Sequence, residues 1–307
     1  MLTALLCVGA VLLDWRLGEP HRWHPLAGFG WLAQRVEALG YGPPELSADL
    51  RRGRGVGAVI VLLVPFTVAA WLLAAIPLLG LAVALGLLYL AIGARSLAEH
   101  AEAVAEALQA GDLPLARERV GRIVSRDTGD LDEEQISRAT VESVLENGCD
   151  AIFGALFWFV LFYAPGVVLY RLANTLDALW GYRTPRYLDF GWAAARLDDV
   201  LNWIPARLTA LSYVVVGTKP ALAWRCWQEQ APFWKSPNAG PVMAAGAGAL
   251  GLALGGQARY HGEWQQRPAL GEGLAPCAED IGRAVALVRR ALWLWLAVIA
   301  LGGLILA

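Results

Sequence analysis

The chain has 307 residues, of which 57% are hydrophobic, 17% are charged and 14 are tryptophan, and its net charge is −2. Ordinary soluble domains carry about 25% charged residues, so the composition points to a membrane protein. The near-neutral balance gives no case for nucleic acid as a partner. The four cysteines, Cys7, Cys149, Cys226 and Cys277, form no CxxC pair, which argues against a zinc knuckle or a disulfide framework.

Residues 1–13 are apolar, lack a basic leader and are followed by Asp14 and Arg16 without an A-x-A site. They read as an uncleaved first membrane helix rather than a signal peptide. Residues 55–93 carry no charge. One crossing takes about 20 residues, so this run fits two helices, 55–76 and 78–93, with Pro77 marking their turn. Further apolar segments lie at 151–170, 204–218 and 291–307, and the polar segments between them are 14–54, 94–150, 170–203 and 219–290. Together these predict one membrane-embedded domain, 1–307, of all-α class: a polytopic integral membrane protein with amphipathic cytoplasmic helices.

All four polar segments are rich in arginine or lysine, with six in 14–54, six in 94–150, four in 170–203 and eight in 219–290. Basic residues favour the cytoplasmic side. Clean crossings at both 151–170 and 204–218 would put segment 170–203 on the outside. The pattern therefore predicts re-entrant or broken helices around 151–170 and 204–218, packed inside protein, where irregular backbone is tolerated.

Within 94–150, Leu97, Ala101, Val104, Ala105 and Leu108 keep helical spacing up to a stop at Gly111. A second helix follows Asp112, with Pro114 in its first turn. Asp127, Thr128, Gly129 and Asp130 form a turn cluster, and Asp132 with Gln135 resembles a capping box. The next helix carries Arg138, Glu142, Glu146 and Asp150 at four-residue intervals. That stripe is either a solvated face with an i,i+4 ion pair or a hard-oxygen site suited to Mg²⁺.

In segment 170–203, Asn174 and Asp177 lie three apart on a helix that Gly181 ends. Asp198 and Asn202 share one helix face, Asp199 turns away from it, and Pro205 is expected to start a new segment that carries Arg207. Interfacial anchoring explains Arg207 and Trp203. It does not explain two carboxylates at membrane depth, which are functional candidates by default. In the tail, Gly246, Gly248 and Gly251 match GxGxxG without a preceding strand, so a small-residue helix contact is favoured over a dinucleotide site. Ser236, Asn238 and Gly240 suggest a turn at a helix start, a place that can hold anions. The isolated histidines, His21 and His24 among them, do not make a metal site.

In chain order, LLDWRLGEPHRWHPL, SLAEHAEAV, GRIVSRDTGDLDEEQISRATVESVLENGCDAIFGALFW, LYRLANTLDALWGYR, FGWAAARLDDVLNWIPARLTAL, SPNAGPVMAAGAGAL and YHGEWQQRPALGEG resemble the CobD/CbiB family, the adenosylcobinamide-phosphate synthases of cobalamin (vitamin B12) biosynthesis. The resemblance spans nearly the whole chain. It implies a bacterial inner-membrane enzyme that joins a corrinoid, adenosylcobyric acid, to (R)-1-amino-2-propanol or its O-phosphate through an amide bond. ATP and Mg²⁺ would be required, and other cobalamin-pathway enzymes are potential partners. One departure is that the acid after the EN motif, followed by glycine in the family's pattern, is here Asp150-Ala151. Under this resemblance Glu142, Glu146, Asp150, Asp198 and Asp199 suit metal binding or amine deprotonation, with Mg²⁺ on Glu142, Glu146 and Asp198. Arg196 and Arg207 suit phosphate or propionate. Asn147, Asn174 and Asn202 suit substrate amides, and Asp177, Ser236 and Asn238 complete the substrate-binding set. The rival reading is a membrane transporter of an anionic metabolite, which would also place charges in broken helices.

Overall fold

The computed structural model describes residues 1–20, 24–260 and 262–305; His21 lies outside them. The chain is helical except for one two-stranded sheet. Four helices, Ala48–Ala74, Leu79–Gln109, Glu133–Trp180 and Ala278–Ile305, are long and apolar enough to cross a membrane. The all-α, polytopic expectation therefore holds. Backbone packing divides the chain into two compact units: Met1–Gly93 with Gly154–Asn202 and Gly302–Ala307, and Ala94–Phe153 with Trp203–Leu301.

The first unit contains α1 (Leu2–Leu17), α2 (Pro25–Gly40), α3 (Ala48–Ala74), α4 (Leu79–Ala91), α8 (Gly154–Trp180), the short α9 (Tyr187–Phe190) and the start of α10 (Trp192–Val216). His24 caps α2 through its ring, accepting from the Leu26 amide at 3.2 Å. As Pro77 suggested, α3 and α4 are joined by the tight turn 75–78, where Leu78 takes φ 64°. Along α3, Ala58, Val59, Leu62 and Leu63 face inward, while Ile60, Val61, Val64, Val68 and Trp71 are exposed. An apolar outer face on a helix of this length is what lipid requires.

Glu37 on α2 fastens this unit. Its carboxylate is 5% exposed and accepts from Trp180 Nε1 at 3.2 Å, Arg186 Nε at 2.8 Å and the Tyr187 hydroxyl at 3.4 Å. α2, α8 and α9 are thereby tied through one buried anion. Gly55 of α3 faces the Phe190 carbonyl at a separation that leaves no room for a Cβ.

α8 is a hairpin of two helical limbs. Tyr163 has φ 58° and ψ −146°, a break in the helix, and Pro165 follows without an amide to donate. Beyond the break, Gly166 lies against the Trp158 carbonyl and the Phe162 side chain. The Tyr170 hydroxyl reaches Gly154, sixteen residues earlier in the sequence. A straight helix would hold those two positions about 24 Å apart. The chain thus reverses at Tyr163, so the 151–170 run is a broken helix, one of the two forms the arginine pattern allowed.

α10 differs from expectation. Pro205 does not start a new segment; the helix runs unbroken from Trp192 to Val216. Proline at 205 leaves the Leu201 carbonyl without its i+4 donor. The Trp158 indole fills that role, donating to Leu201 O at 2.9 Å.

The second unit holds α5 (Ala94–Gln109), α6 (Leu113–Val120), α7 (Glu133–Gly148), a π-helical turn (Cys149–Phe153), the rest of α10, α11 (Pro220–Gln230), α12 (Ala239–Leu250) and most of α13 (Ala278–Ile305). Asp112 caps α6, and Asp132 with Gln135 forms the predicted capping box of α7. Every residue of α12 is buried. A Cβ on Gly246 would sit 2.6 Å from Leu145, and one on Gly248 2.7 Å from Ala223 Cα. The glycine pattern is therefore a helix-packing stripe, and Gly251 is the left-handed cap that ends α12. Absent from the sequence reading is a hairpin, β1 (Leu254–Tyr260) paired antiparallel with β2 (Glu263–Leu270) and bulged between Gly255 and Gly256.

Adding one methyl at the α8 reversal tests it. Gly166→Ala places a Cβ against the Trp158 carbonyl and is expected to destabilise the protein by about 1–3 kcal/mol, the usual cost of overpacking. Gly57→Ala, which meets nothing within 4 Å, is the neutral control. Both are read by thermal unfolding in detergent.

Candidate functional site

Besides the group around Glu37, a second cluster of polar side chains lies in the first unit. Its centre is Asp198 on α10. Asn202, one turn later and 1% exposed, donates through Nδ2 to Asp198 Oδ1 and Oδ2, both at 3.1 Å. Asn174 of α8 donates to Oδ1 at 3.2 Å. Behind Asn202, the Tyr170 hydroxyl donates to Asn202 Oδ1 at 2.9 Å. The second limb of α8 presents Tyr170 and Asn174 one turn apart, so a single helix face supplies both groups.

Among the described residues Asp198 has no salt bridge; its protein partners are amide donors. Burial pushes its carboxyl above the ordinary carboxylate range. The Asn202 and Asn174 donors pull the other way, and Asp199 adds to the rise. Asp199 turns away, as its position predicts, and pairs with Arg196 at 2.9 Å. It too is raised by burial, opposed by Arg196 and Arg183. The Arg196–Asp199 pair is i,i+3 on an open surface, where such contacts contribute little. Asp177 is half-buried near the end of α8, where its carbonyl accepts from the Gly181 amide at 2.6 Å.

In the second unit the expected acid stripe on α7 divides. Arg138 pairs with Glu134, one turn back, rather than with Glu142. Glu142 points inward and is 2% exposed. It accepts from Arg267 Nη1 at 2.9 Å and Nη2 at 3.1 Å, from the Gly255 amide at 2.8 Å and from Arg126. A carboxylate offers about four lone-pair directions, and all are taken. Glu142 thus anchors the β1–β2 hairpin to α7 and does not lie on a solvated face. The turn cluster also clasps the hairpin: the Asp127 amide donates to Arg259 O at 2.8 Å, Asp127 Oδ2 accepts from Gly262 N at 2.7 Å, and Arg259 Nη1 meets Asp130 at 3.0 Å.

Glu146 and Asp150 remain half-buried, Asp150 within the π turn. Such turns are frequent at functional sites. Asn147 donates to the Ser143 carbonyl at 2.9 Å. Among the described residues, no three His, Cys, Asp or Glu side chains gather into a group that could hold a metal ion by themselves.

Arg207, Ser236 and Asn238 come together at the start of α12. Arg207 Nη1 donates to Trp203 O at 2.7 Å and Asn238 Oδ1 at 3.3 Å, and Nη2 donates to Pro237 O at 3.3 Å. The guanidinium lies 4.2 Å from the Trp203 ring centroid. Ser236 Oγ accepts from the Asn238 and Ala239 amides. Sequence reasoning named Arg207, Ser236, Asn238, Asn174, Asp198 and Asn202 separately; the grouping of the first three and of the last three comes from the structure. It missed Tyr170, Arg126, Arg267 and Glu37. Tyr170 had a signal, since it precedes Asn174 by one helical turn; Arg267 had none, because its partner is 125 residues away.

The comparisons with known proteins agree on one family. The family model described as CobD/Cbib protein matches residues 7–288. A Chromobacterium violaceum protein named "Cobalamin biosynthesis protein CobD" is 64% identical over 97% of this chain and 96% of its own length. Proteins of the same name from Stutzerimonas stutzeri and Mycobacterium tuberculosis are 57% and 42% identical, covering 96% and 91% of this chain and 96% and 88% of theirs. No solved structure matches.

Removing the Glu142 carboxylate leaves two buried guanidiniums without their anion. Glu142→Ala is expected to cost about 3–5 kcal/mol, the range for breaking a buried pair on one side. Thermal unfolding measures the loss, and limited proteolysis should show earlier cutting within residues 254–270.

Proposed function

The chain belongs to the CobD/CbiB family of cobalamin biosynthesis, and on that premise we propose that it is an adenosylcobinamide-phosphate synthase. The reaction is amide-bond formation between adenosylcobyric acid and (R)-1-amino-2-propanol or its O-phosphate, with ATP and Mg²⁺, on the cytoplasmic face of a bacterial inner membrane. The chemical part of the reading rests on Asp198, a half-buried carboxyl held by amide donors and, among the described residues, without a salt bridge.

Amide formation at neutral pH has two demands. The corrinoid carboxylate needs a better leaving group than oxide, which phosphorylation by ATP supplies as an acyl phosphate. The amine, an ammonium in water, must lose a proton before it attacks. Asp198 suits the second demand: burial makes it a stronger proton acceptor than an exposed aspartate, and the donors on both oxygens hold it still. Attack of the neutral amine then forms the C–N bond and releases phosphate.

Mg²⁺ takes one or two carboxylates and completes its shell with waters and phosphate oxygens. Glu146 and Asp150, both half-buried, fit that donor set; Glu142, saturated by protein donors, does not. When bound with ATP, the ion would neutralise phosphate charge. The Arg207 fork and the Ser236–Asn238 turn suit a phosphate or propionate, and the half-buried Asn147 suits a corrinoid amide. Arg196 and Asp199, solvent-facing and paired, suit a rim role.

Ligation by purified protein in detergent tests the reading against transport, because an enzyme converts substrate without a sealed compartment. Asp198→Asn and Glu146→Gln are each expected to abolish turnover while the protein still inserts and melts normally; unchanged turnover in both refutes the assignment. Arg207→Lys is expected to raise KM, since lysine lacks the planar fork.

A further inference from the structure

We infer that Arg171 on the second limb of α8, with His24 beside it, binds the phosphate group of the amine substrate. That an anion belongs here follows from the donors themselves; that it is the amine's phosphate rests on the synthase reading.

Arg171 is half-buried, and its Nε is shut off from solvent without a hydrogen-bond partner. Among the described residues its guanidinium forms no ion pair and no side-chain hydrogen bond. A charge withdrawn from water in this way is costly, and native proteins pair nearly all such groups. Interfacial snorkelling does not account for it, because a snorkelling arginine carries its whole head group into water.

His24 supplies a second donor. Its Nδ1 accepts from the Leu26 amide at 3.2 Å, so the proton of the neutral ring is on Nε2. Burial and the Arg171 charge hold the ring below its ordinary pKa, and Glu19 opposes them. The action of Arg171 on the ring places the two donors together, where α2 packs on α8. Among the described residues Glu19 bonds neither of them. Two adjacent donors without a protein acceptor, one of them a permanent cation, suit an oxyanion. A guanidinium takes two phosphate oxygens at once.

The position of Arg171 indicates which phosphate. Asn174 follows it by three residues, so the two are neighbours on the helix surface, about 5–6 Å apart at Cβ. Asn174 in turn donates to Asp198 at 3.2 Å. A guanidinium and a carboxylate thus flank one stretch of α8. An aminoalkyl phosphate carries the matching charges, an ammonium and a phosphate a few bonds apart. ATP has phosphates but no ammonium. The headgroup of phosphatidylethanolamine is the other source of the same chemistry, and the experiment separates it from the substrate.

Arg171→Gln removes the charge. In detergent, at saturating corrinoid, the KM for (R)-1-amino-2-propanol O-phosphate is expected to rise about tenfold or more, the worth of a charge-assisted hydrogen bond. Arg171→Lys, which keeps the charge and loses the fork, should fall between. The KM for ATP and the melting temperature should stay as in the parent protein. A second readout needs no turnover: O-phosphoethanolamine, an aminoalkyl phosphate, should raise the melting temperature of the parent and not that of Arg171→Gln. An unchanged KM for the O-phosphate overturns the inference. So does a KM for ATP that rises in its place, and so does a loss that tracks a fall in melting temperature. A parent stabilised by phosphatidylethanolamine and not by O-phosphoethanolamine overturns it too, because the cation then faces lipid. If the parent forms no amide at all, the synthase reading fails, and the melting shift with O-phosphoethanolamine alone decides whether Arg171 holds a phosphate.

Discussion

The two limbs of α8 touch where only glycine lets them. Gly166 lies on the Trp158 carbonyl and Gly154 on the Tyr170 hydroxyl, and the reversal at Tyr163 exists because both positions lack a Cβ. Once the limbs are paired, one of them offers Trp158 and the other Tyr170 and Asn174. These three groups are what meet Leu201, Asn202 and Asp198 on α10. Backbone close approach thus leads directly to the arrangement of polar groups around one carboxyl.

Three carboxylates, Glu37 and Glu142 buried and Asp198 half-buried, differ in what surrounds them. Taking an ion out of water costs several kcal/mol unless charge and hydrogen bonds offset it. Glu37 is offset by Arg186, with an indole and a phenol adding donors. Glu142 is offset by two guanidiniums and a backbone amide. Both pair with arginine and tie elements together. Asp198, half-buried, has amide donors and, among the described residues, no salt bridge. That difference, rather than proximity to the apolar runs, marks it out.

Much of the fold was legible because local chemistry set it. The caps at Asp112 and Asp132, the turn after α3 and the Gly111 stop all follow from residues within four positions. The break in α8 was anticipated from the four arginines in 170–203. The helical spacing of Asp198 and Asn202 was readable, as was the Ser236–Asn238 turn. Pro205 misled, because its effect on the helix depends on whether a distant donor covers Leu201, and Trp158 does. Glu142 misled for the same kind of reason. Its four-residue spacing with Arg138 looked like a surface stripe, yet its partners Arg126 and Arg267 lie outside that helix. The hairpin that carries Arg267 has no strong alternation to announce it, and a bulge at Gly255–Gly256 interrupts what there is.

The pairing of Glu142 with Arg267 also constrains how the protein is made. Their positions are 125 residues apart, so a ribosome finishes α7, the α8 reversal, α10 and α12 before the guanidinium that completes the pair leaves the exit tunnel. The contact that seats the hairpin on α7 therefore cannot form until the hairpin has been translated.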